Sequence, residues 1–425
     1  MNIFDELKER GLIFQTSNEE AVKEYLSKQG SKFYLGFDPT AESLHVGSLL
    51  PIVLIKRLEK AGLRPIVLVG GATGLIGDPS GKSQERNLLD LKTVKRNVCA
   101  LKKQLSRFFD FNCFMRRGVV FVDNYDWIKN ISFIELLRDF GKHFTINEMI
   151  SKESVQKRMV NGISFTEFTY MILQAVDFLN LFQKYNCKMQ VGGSDQWGNM
   201  TAGIELIRKK ISKEGLVLSM PLVTKSDGTK FGKSEGGAVW LDAEMTSPYH
   251  FYQFWINVED ASVIKFLKYF TFLSLEEIKR LENLVATEPE KREAQKVLAR
   301  EVTKFVHGEA AVSRAEKISP LLFYGKVKEL GSEELKEVFS GSAVKEFGNF
   351  VELPNSELSI AEFLVGAKVV DSKRQAREDV ENKAIEINGE KVFALEYKIG
   401  KKDMMNGKYI LVKRGKKDHH FIKTI

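Results

Sequence analysis

The stretch FYLGFDPTAESLHVGS, residues 33–48, sets the fold class of this chain. Its apolar start breaks at Gly36, a polar turn DPT follows at 38–40, and a helix is predicted to begin near His45. A strand, a loop and a helix N-terminus gather free backbone N–H groups and the positive end of a helix dipole. The stretch therefore predicts either a phosphate-binding turn or an ordinary strand–helix unit in which His45 only caps or packs.

The sequence on both sides extends this unit into an α/β fold. A helix is predicted over 19–30 before it, and a second helix over 49–60 after it. RPIVLV, residues 64–69, then reads as a fully buried strand of the parallel type. A strand, a helix and a second strand so close in sequence form a βαβ unit. The chain is therefore predicted to contain an α/β domain built on a parallel sheet.

Size and composition argue against several classes of protein. With 425 residues, 43% hydrophobic and 28% charged, the chain has material for two or three globular domains. Its longest apolar run, residues 49–55, is too short to span a membrane, and neither a signal peptide nor a transit peptide is visible. Three cysteines without CxxC spacing argue against a disulfide framework or a zinc site. We expect a cytoplasmic protein with no metal site of its own.

Positive charge is concentrated at the C-terminal end. The net charge is +8, and residues 367–425 carry fifteen Lys or Arg against nine Asp or Glu. A basic helix is predicted to contain Lys373, Arg374 and Arg377, and IEINGEKV predicts a hairpin that turns at Asn388-Gly389. A basic helix beside a small β-element is a common layout for RNA binding. On charge alone, a lysine-rich surface that faces only solvent is an equal alternative.

A glycine-rich loop follows the strand at 64–69. It covers residues 70–86 and carries Asp78, Lys82 and Arg86. Its glycine spacing fits neither a P-loop nor the GxGxxG dinucleotide fingerprint. In an open α/β sheet, however, ligands bind at the carboxyl ends of the strands, which is where this loop lies.

Two more glycine-rich segments resemble it in composition. GGSDQWGN, residues 192–199, follows a predicted strand at 188–191 and precedes a helix. KSDGTKFGKSEGG, residues 225–237, carries Lys230 and Lys233. Taken alone, the second segment is as well explained by an ordinary surface loop.

One predicted helix, residues 164–182, carries polar side chains at helical spacing. Tyr170, Gln174 and Asp177 recur at i, i+4 and i+7 and therefore share one face. Because phenylalanine and leucine residues surround them, we favour polar groups that point into an apolar pocket over an amphipathic helix with a wet side.

The rest of the chain reads as helices, a linker and the basic tail. Residues 247–323 are helical in pattern, whereas 327–357 carry glycine and serine breaks with weak periodicity. The predicted domains are a Rossmann-like catalytic domain at 1–223, a loop and α-helical domain at 224–325, a linker at 326–357, and a small α+β RNA-binding domain at 358–425.

Taken together, these segments resemble a bacterial-type tyrosyl-tRNA synthetase. HVGS at 45–48 is similar to the HIGH signature of class I aminoacyl-tRNA synthetases, and KFGKS at 230–234 to their KMSKS loop. The C-terminal segment resembles an S4 RNA-binding domain. The departures, Ser48 for the second histidine and Phe231-Gly232 for Met-Ser, are common in the tyrosine enzymes. The resemblance covers nearly the whole chain.

The resemblance implies a reaction and a set of residues for it. Tyrosine would react with ATP to give tyrosyl-adenylate, and the tyrosyl group would pass to the 3′ end of tRNA(Tyr). The implied catalytic residues are Thr40, His45, Lys82, Arg86, Lys230 and Lys233. The implied tyrosine-binding residues are Tyr34, Gly36, Asp78, Tyr170, Gln174, Asp177 and Gln196, with the phenol at Tyr34 and Asp177. The implied ATP-binding residues are Asp38, His45, Gly47, Ser48, Gly193, Asp195, Leu222, Lys230 and Lys233.

The resemblance also implies partners and leaves rivals open. Mg²⁺ would arrive with ATP and no tightly bound cofactor is expected. RNA contacts are expected at Lys373, Arg374 and Arg377, and a homodimer is expected with 133–165 as the candidate interface. The alternatives are the tryptophan-specific relative, which shares the fold and both signatures, and a synthetase-derived RNA-binding protein without catalysis.

Overall fold

The computed structural model describes residues 2–81, 87–111, 118–224, 231–234, 237–323, 329–339, 350–351, 357–407, 409–415 and 418–424. Lys82, Arg86 and Lys230 lie outside these residues, and only the backbone of Lys233 lies within them. The chain forms two compact units, the first made of Met1–Gly232 with Glu259–Ala294 and the second of Lys233–Val258 with Gln295–Ile425.

The first unit is built on one sheet. Its strands are β1 (Gln15–Thr16), β2 (Lys32–Phe37), β3 (Arg64–Val69), β4 (Val120–Asp123), β5 (Met189–Gly193) and β6 (Leu216–Met220), in the order β1-β6-β5-β2-β3-β4. All neighbours pair in parallel except β1, which runs antiparallel to β6. The predicted parallel α/β fold is confirmed, and its central strand β2 comes from the stretch at 33–48.

The α-helices of both units follow in chain order. They are α1 (Ile3–Glu9), α2 (Glu19–Ser27), α3 (Leu49–Lys60), α4 (Thr73–Ile76), α5 (Leu91–Leu105), α6 (Tyr125–Ile128), α7 (Phe133–Glu135), α8 (Ile146–Ile150), α9 (Glu153–Met159), α10 (Phe165–Tyr185), α11 (Trp197–Ile211), α12 (Pro248–Ile256), α13 (Asp260–Phe270), α14 (Leu275–Thr287), α15 (Glu293–His307), α16 (Glu309–Phe323), α17 (Ser332–Phe339), α18 (Ile360–Gly366) and α19 (Lys373–Glu381).

Helix α10 is the element that faces the sheet at its centre. Ser164 caps it by accepting the Glu167 N–H at 3.2 Å, and Asn186 ends it in the left-handed conformation, with φ of +53°. Its middle turns pack with Tyr34 of β2, Ile66 of β3 and residues of α11 in one buried apolar cluster. Polar side chains on α10 are thereby held against the carboxyl ends of β2 and β3.

The second unit holds α12, nearly all of α15, the helices α16–α19 and the small strands. The strands are β7 (Lys233–Ser234), β8 (Gly237–Ala238), β9 (Phe350–Val351), β10 (Leu358–Ser359), β11 (Ile385–Ile387), β12 (Glu390–Lys391), β13 (Lys398–Ile399), β14 (Tyr409–Arg414) and β15 (Asp418–Thr424). Five of them form the sheet β12-β11-β14-β15-β9, which shares a buried core with α18 and α19.

The predicted hairpin in this unit is confirmed. Ile387 pairs with Glu390, and Asn388 and Gly389 adopt positive φ of 51° and 86°, as a two-residue turn with both central residues left-handed requires. Residues 259–294, which the sequence pattern groups with the helical domain, pack with the first unit. The predicted four-part division by residue number stays a prediction.

Candidate active site

One end of the site is a buried carboxylate close to a buried phenol. Tyr34 on β2 and Asp177 on α10 are each 2% exposed. Asp177 accepts the Asn124 Nδ2–H on Oδ2 at 2.9 Å and the Trp127 Nε1–H on Oδ1 at 2.8 Å. Burial raises the pKa of Asp177 to about 8, although these two donors act in the opposite direction. The two N–H groups fix the orientation of the carboxylate.

The Tyr34 hydroxyl is a buried polar group without a partner in the described part of the chain. No described residue forms a hydrogen bond with it, and burial together with the Asp177 charge raises the pKa of Tyr34 well above its usual value. Gln190, in register with Tyr34 on the neighbouring strand β5, likewise buries an Oε1 that no described residue binds. An unsatisfied buried group costs about 1–3 kcal/mol. This end of the site therefore suits a ligand that brings a hydroxyl group.

The opposite end is a network around Asp78. Its Oδ2 accepts the Gln196 Nε2–H at 2.6 Å, and its Oδ1 accepts the Ser80 backbone N–H at 3.0 Å. Asn199 donates to Oε1 of Gln174 at 3.2 Å and to Oε1 of Gln196 at 3.2 Å. Three residues that the resemblance implies for tyrosine binding, namely Asp78, Gln174 and Gln196, are thus brought together through Asn199.

Tyr170 binds Asp38 and also feels the charge of Asp78. Its hydroxyl donates to Asp38 Oδ2 at 2.8 Å, and Asp38 Oδ1 accepts the Thr73 hydroxyl at 2.7 Å. Burial, and then the charges of Asp38 and Asp78, raise the pKa of Tyr170 well above its usual value. Two carboxylates therefore act on one buried phenol, and such an electronegative place suits an ammonium group. Asp38, which the resemblance implies for ATP, is thus bonded to Tyr170 and, through Thr73 and Asn124, to the Asp177 end of the site.

The HVGS segment forms a tight turn ahead of α3. Val46–Ser48 is a 3₁₀ turn, and His45 Nδ1 accepts the Gly47 N–H at 2.9 Å. The histidine therefore caps the turn, and because Nδ1 accepts, the neutral ring carries its proton on Nε2. Nε2–H is a suitable donor for a phosphate oxygen. Ser48 is half-buried next to this turn, and Thr40, earlier in the same loop, is exposed.

The Phe231-Gly232 part of the second signature lies on this turn. A Cβ at Gly232 would meet Val46 Cγ2 at 2.8 Å and the Gly47 N at 3.3 Å, and Gly232 has φ of +97°. The Phe231 ring packs against Phe266 and Phe270 of α13, with centroids 4.7 Å and 6.0 Å apart. The HVGS turn and Phe231-Gly232 of the KFGKS segment are therefore in direct contact.

A third group of predicted residues lies together at the end of β5. A Cβ on Gly193 would approach Asp195 Oδ1 to 2.4 Å and Leu222 Cδ2 to 3.4 Å. A Cβ on Gly81 would lie 3.4 Å from Asp195 Oδ2, so the loop after Asp78 reaches this place as well. Gly36 lies near the end of β2 at an exposed position beside Leu68. These glycines leave room that a side chain would fill.

Sequence reasoning missed the residues that hold the site residues in place. Asn124 binds Asp177 and also donates to Thr73 Oγ1 at 3.1 Å. Trp127 holds the other oxygen of Asp177, and Asn199 joins the amides. Two of them had a usable signal, since Asn124 directly follows β4 and Asn199 lies within GGSDQWGN, both at carboxyl ends of strands.

The remaining sequence predictions concern RNA, metal and membrane. Lys373, Arg374 and Arg377 are exposed on α19, where Lys373 pairs with Glu362 at 3.0 Å and Arg374 with Glu378 at 3.4 Å. Among the residues that the structure describes, no three His, Cys, Asp or Glu side chains are placed to hold a metal ion. No helix in the described part of the chain is long and apolar enough to cross a membrane.

Comparison with known families agrees with this geometry. Residues 27–323 match the family model of class I tRNA synthetases for tryptophan and tyrosine. Residues 342–422 match the C-terminal domain of SYY-like tyrosine–tRNA ligases. The parallel sheet and its HVGS turn thus lie in a class I tRNA synthetase.

Full-length relatives show which family of class I tRNA synthetases the chain is similar to. The chain is 52% identical to tyrosine–tRNA ligase 2 of Enterococcus faecalis over 99% of both chains, and 52% identical to tyrosine–tRNA ligase 1 of Bacillus anthracis over 100% of both. A C-terminally truncated mitochondrial tyrosyl-tRNA synthetase of Aspergillus nidulans superposes with a TM-score of 0.67 at 30% identity, over 76% of this chain and 94% of that one. The chain belongs to the tyrosyl-tRNA synthetase family, in its bacterial form.

Proposed function

We propose that this chain activates L-tyrosine with ATP and transfers the tyrosyl group to the 3′ end of tRNA(Tyr), as a tyrosine–tRNA ligase. The observation that carries the proposal is the Tyr34 hydroxyl, buried without a partner among the described residues and close enough to Asp177 for that charge to raise its pKa. A phenolic hydroxyl placed between them would satisfy both. Phenylalanine would leave the Tyr34 hydroxyl unsatisfied, and a buried unpaired polar group is costly.

The proposed substrate pose uses both ends of the network. The phenol meets Tyr34 and Asp177, and the ammonium group lies near Asp78, Tyr170 and Gln174. Gln196 and Gly36 complete the tyrosine site. With the amino acid held at both ends, its carboxylate is directed toward the HVGS turn. Positioning of this kind contributes several kcal/mol to a bimolecular reaction.

The proposed first step needs no general base, because the tyrosine carboxylate is already ionised. One carboxylate oxygen forms a bond to the α-phosphorus of ATP, the bond from that phosphorus to the bridging oxygen breaks, and pyrophosphate leaves with the electron pair. Catalysis then depends on cations and N–H donors that stabilise the growing charge. We assign this role to Thr40, His45, Lys82, Arg86, Lys230 and Lys233. Mg²⁺ is carried in with ATP as part of the substrate.

The second step transfers the tyrosyl group to RNA. A ribose hydroxyl at the 3′ end of tRNA attacks the carbonyl carbon of the adenylate, the bond from that carbon to the phosphate oxygen breaks, and AMP leaves with the electron pair while the hydroxyl proton passes to a phosphate oxygen or to water. We assign the ATP ribose and base to the cluster of Gly193, Asp195 and Leu222, the phosphate-side contacts to His45, Gly47 and Ser48, and a further contact with ATP to Asp38. The proposal places the reaction in the cytoplasm.

ATP–pyrophosphate exchange tests the proposal directly. We expect exchange that depends on tyrosine and is slowed by His45→Ala, with little change in the dissociation constant of tyrosine. Exchange with tryptophan and none with tyrosine would favour the tryptophan-specific relative. The absence of exchange with either amino acid would favour an RNA-binding protein without catalysis.

We further propose that the C-terminal segment 358–425, with its S4-like arrangement, binds tRNA. Replacing Lys373, Arg374 and Arg377 together with alanine is expected to leave exchange unchanged. It should raise the Michaelis constant for tRNA and lower the salt dependence of tRNA binding by about two to three counterions. The measurements are exchange and aminoacylation at several salt concentrations.

A matched control for this prediction removes the same charge elsewhere. Alanine at Lys213, Lys265 and Lys279, which are exposed in the first unit, should leave the tRNA constant close to that of the parent. A chain that ends at residue 357 should likewise keep its ATP–pyrophosphate exchange activity and lose most of its aminoacylation of tRNA. Equal loss of both activities would mean that the tail supports the fold.

The proposal includes a homodimer formed through residues 133–165. Seven of the thirteen exposed large hydrophobic side chains of the described residues lie there: Phe133, Ile134, Leu137, Ile146, Met159, Val160 and Phe165. So dense a group of exposed apolar side chains is unusual on a monomer. Changing Ile134 and Val160 to aspartate is expected to yield monomers in light scattering, whereas Phe393→Asp, at an equally exposed residue, should leave the dimer intact. A parent protein that is already monomeric would refute the dimer.

A further inference from the structure

Arg158 on α9 and Glu167 on α10 form an ion pair that is unusually buried. Arg158 is 3% exposed and Glu167 is 2% exposed, and Nη2 lies 2.7 Å from Oε2. Removing two charges from water costs about as much as their attraction returns, and well-packed apolar residues often replace such pairs without loss of stability. A contribution to the free energy of unfolding therefore does not by itself explain why this ion pair is present.

Glu167 also departs from what its local sequence favours. Ser164 and Glu167 have the S-x-x-E spacing of a capping box, in which the glutamate binds the N–H of the cap residue. Ser164 plays its part, since its Oγ accepts the Glu167 N–H. The Glu167 carboxylate turns inward and binds Arg158 instead. Its Oε1 is buried and has no partner among the described residues. The Glu167 carboxylate therefore forms a buried contact with another helix in place of the solvent-exposed capping bond, and the buried contact has the higher desolvation cost.

The pair lies one helical turn ahead of the tyrosine-binding residues. Tyr170 is three residues after Glu167 and thus on the same face of α10, and its hydroxyl reaches Asp38 at 2.8 Å. The neighbouring contacts between α10 and the preceding helices are apolar, made by Met171 and Ile172 with Met149 and Val155. Apolar contacts of this kind allow small slides, whereas a charge-assisted hydrogen bond has a narrow range of geometry.

We infer that the Arg158–Glu167 pair is a positioning pair, which fixes the first turns of α10 so that Tyr170 holds the ammonium end of the tyrosine site. The inference rests on the proposed function. It assigns neither residue to contact with substrate. It also gives Arg158 an indirect role in tyrosine binding, although α9 carries none of the assigned site residues.

The test separates position from stability by replacing the pair with apolar side chains. In the double variant Arg158→Met, Glu167→Met, we expect the melting temperature to stay close to that of the parent. The dissociation constant of tyrosine, measured by equilibrium dialysis without ATP, should rise on the order of 10-fold, because small displacements of binding groups have large effects. The Michaelis constant of ATP should stay unchanged.

Two further variants complete the experiment. Glu167→Gln keeps the shape and one hydrogen bond and should lie between the parent and the double variant. Glu153→Gln with Lys157→Gln removes an exposed ion pair from the same helix α9, with side chains 80% and 72% exposed, and should change neither constant. Parent-like tyrosine binding in the double variant would overturn the inference, as would equal changes for tyrosine and ATP. Failure of the proposed function is distinct, since the parent would then not bind tyrosine.

Discussion

Replacing Asp177 with alanine is expected to weaken tyrosine binding about 100-fold, the equivalent of leaving one buried hydrogen-bonding group unpaired. The variant loses the acceptor for the phenolic hydroxyl. It also leaves the Asn124 amide and the Trp127 indole N–H buried without the carboxylate that they bind. Both effects act on the phenol end, so the dissociation constant of ATP should not change. Equilibrium dialysis with each substrate checks this.

Asp126→Ala is the matched control for this prediction. Asp126 lies in the same short helix as Trp127, but its side chain is 74% exposed, so its loss should leave tyrosine binding unchanged. A melting curve for each variant separates lost binding from lost folding. If Asp177→Ala bound tyrosine as well as the parent, the proposed orientation of the substrate, with its phenol between β2 and α10, would be wrong.

The sequence predicted the fold where the local pattern is strong. The run at 33–37, the continuous apolar strand at 64–69 and the helix at 164–182 carry clear periodicity, and the structure has β2, β3 and α10 there. The short strand β1 was not predicted, because two residues carry no periodicity and its place is set by pairing with β6. Its formation depends on tertiary contacts that a local pattern does not contain.

Some of the site residues could likewise be predicted from the sequence pattern, whereas others are placed by tertiary packing. Spacing alone placed Tyr170, Gln174 and Asp177 on one face of a helix, and the structure confirms that they share it, since α10 is continuous over all three. Spacing did not reveal that Asn124 and Trp127, about fifty residues earlier, hold Asp177. The tertiary fold decides which residues bind Asp177, because any buried N–H donor at that point could bind its carboxylate. The roles of all these residues in catalysis stay predictions.

Replacing Gly232 with alanine is expected to slow adenylate formation on the order of 100-fold, the loss that a displacement of about 1 Å causes in a well-positioned site. The new Cβ would lie 2.8 Å from Val46 Cγ2 and 3.3 Å from the Gly47 N, both in the rigid turn that His45 caps. Phe231, packed on α13, prevents the segment from moving away freely. We expect the displacement to reach Lys233, the next residue in the chain and one that we assign to the phosphates. Tyrosine binding at the other end of the site should be retained.

Gly237→Ala separates this steric effect from backbone strain. Gly237 also has positive φ, +109°, but no atom of the described residues lies within 4 Å of the place that a Cβ would take, so alanine there carries backbone strain alone. Single-turnover adenylate formation should be slow in Gly232→Ala and close to normal in Gly237→Ala, with equal tyrosine dissociation constants in both. Equal slowing in the two variants would mean that conformational freedom of the loop, and not its contact with the HVGS turn, matters for the reaction. Because both glycines lie on either side of Lys233, the comparison tests directly whether the two signatures act as one phosphate-binding surface.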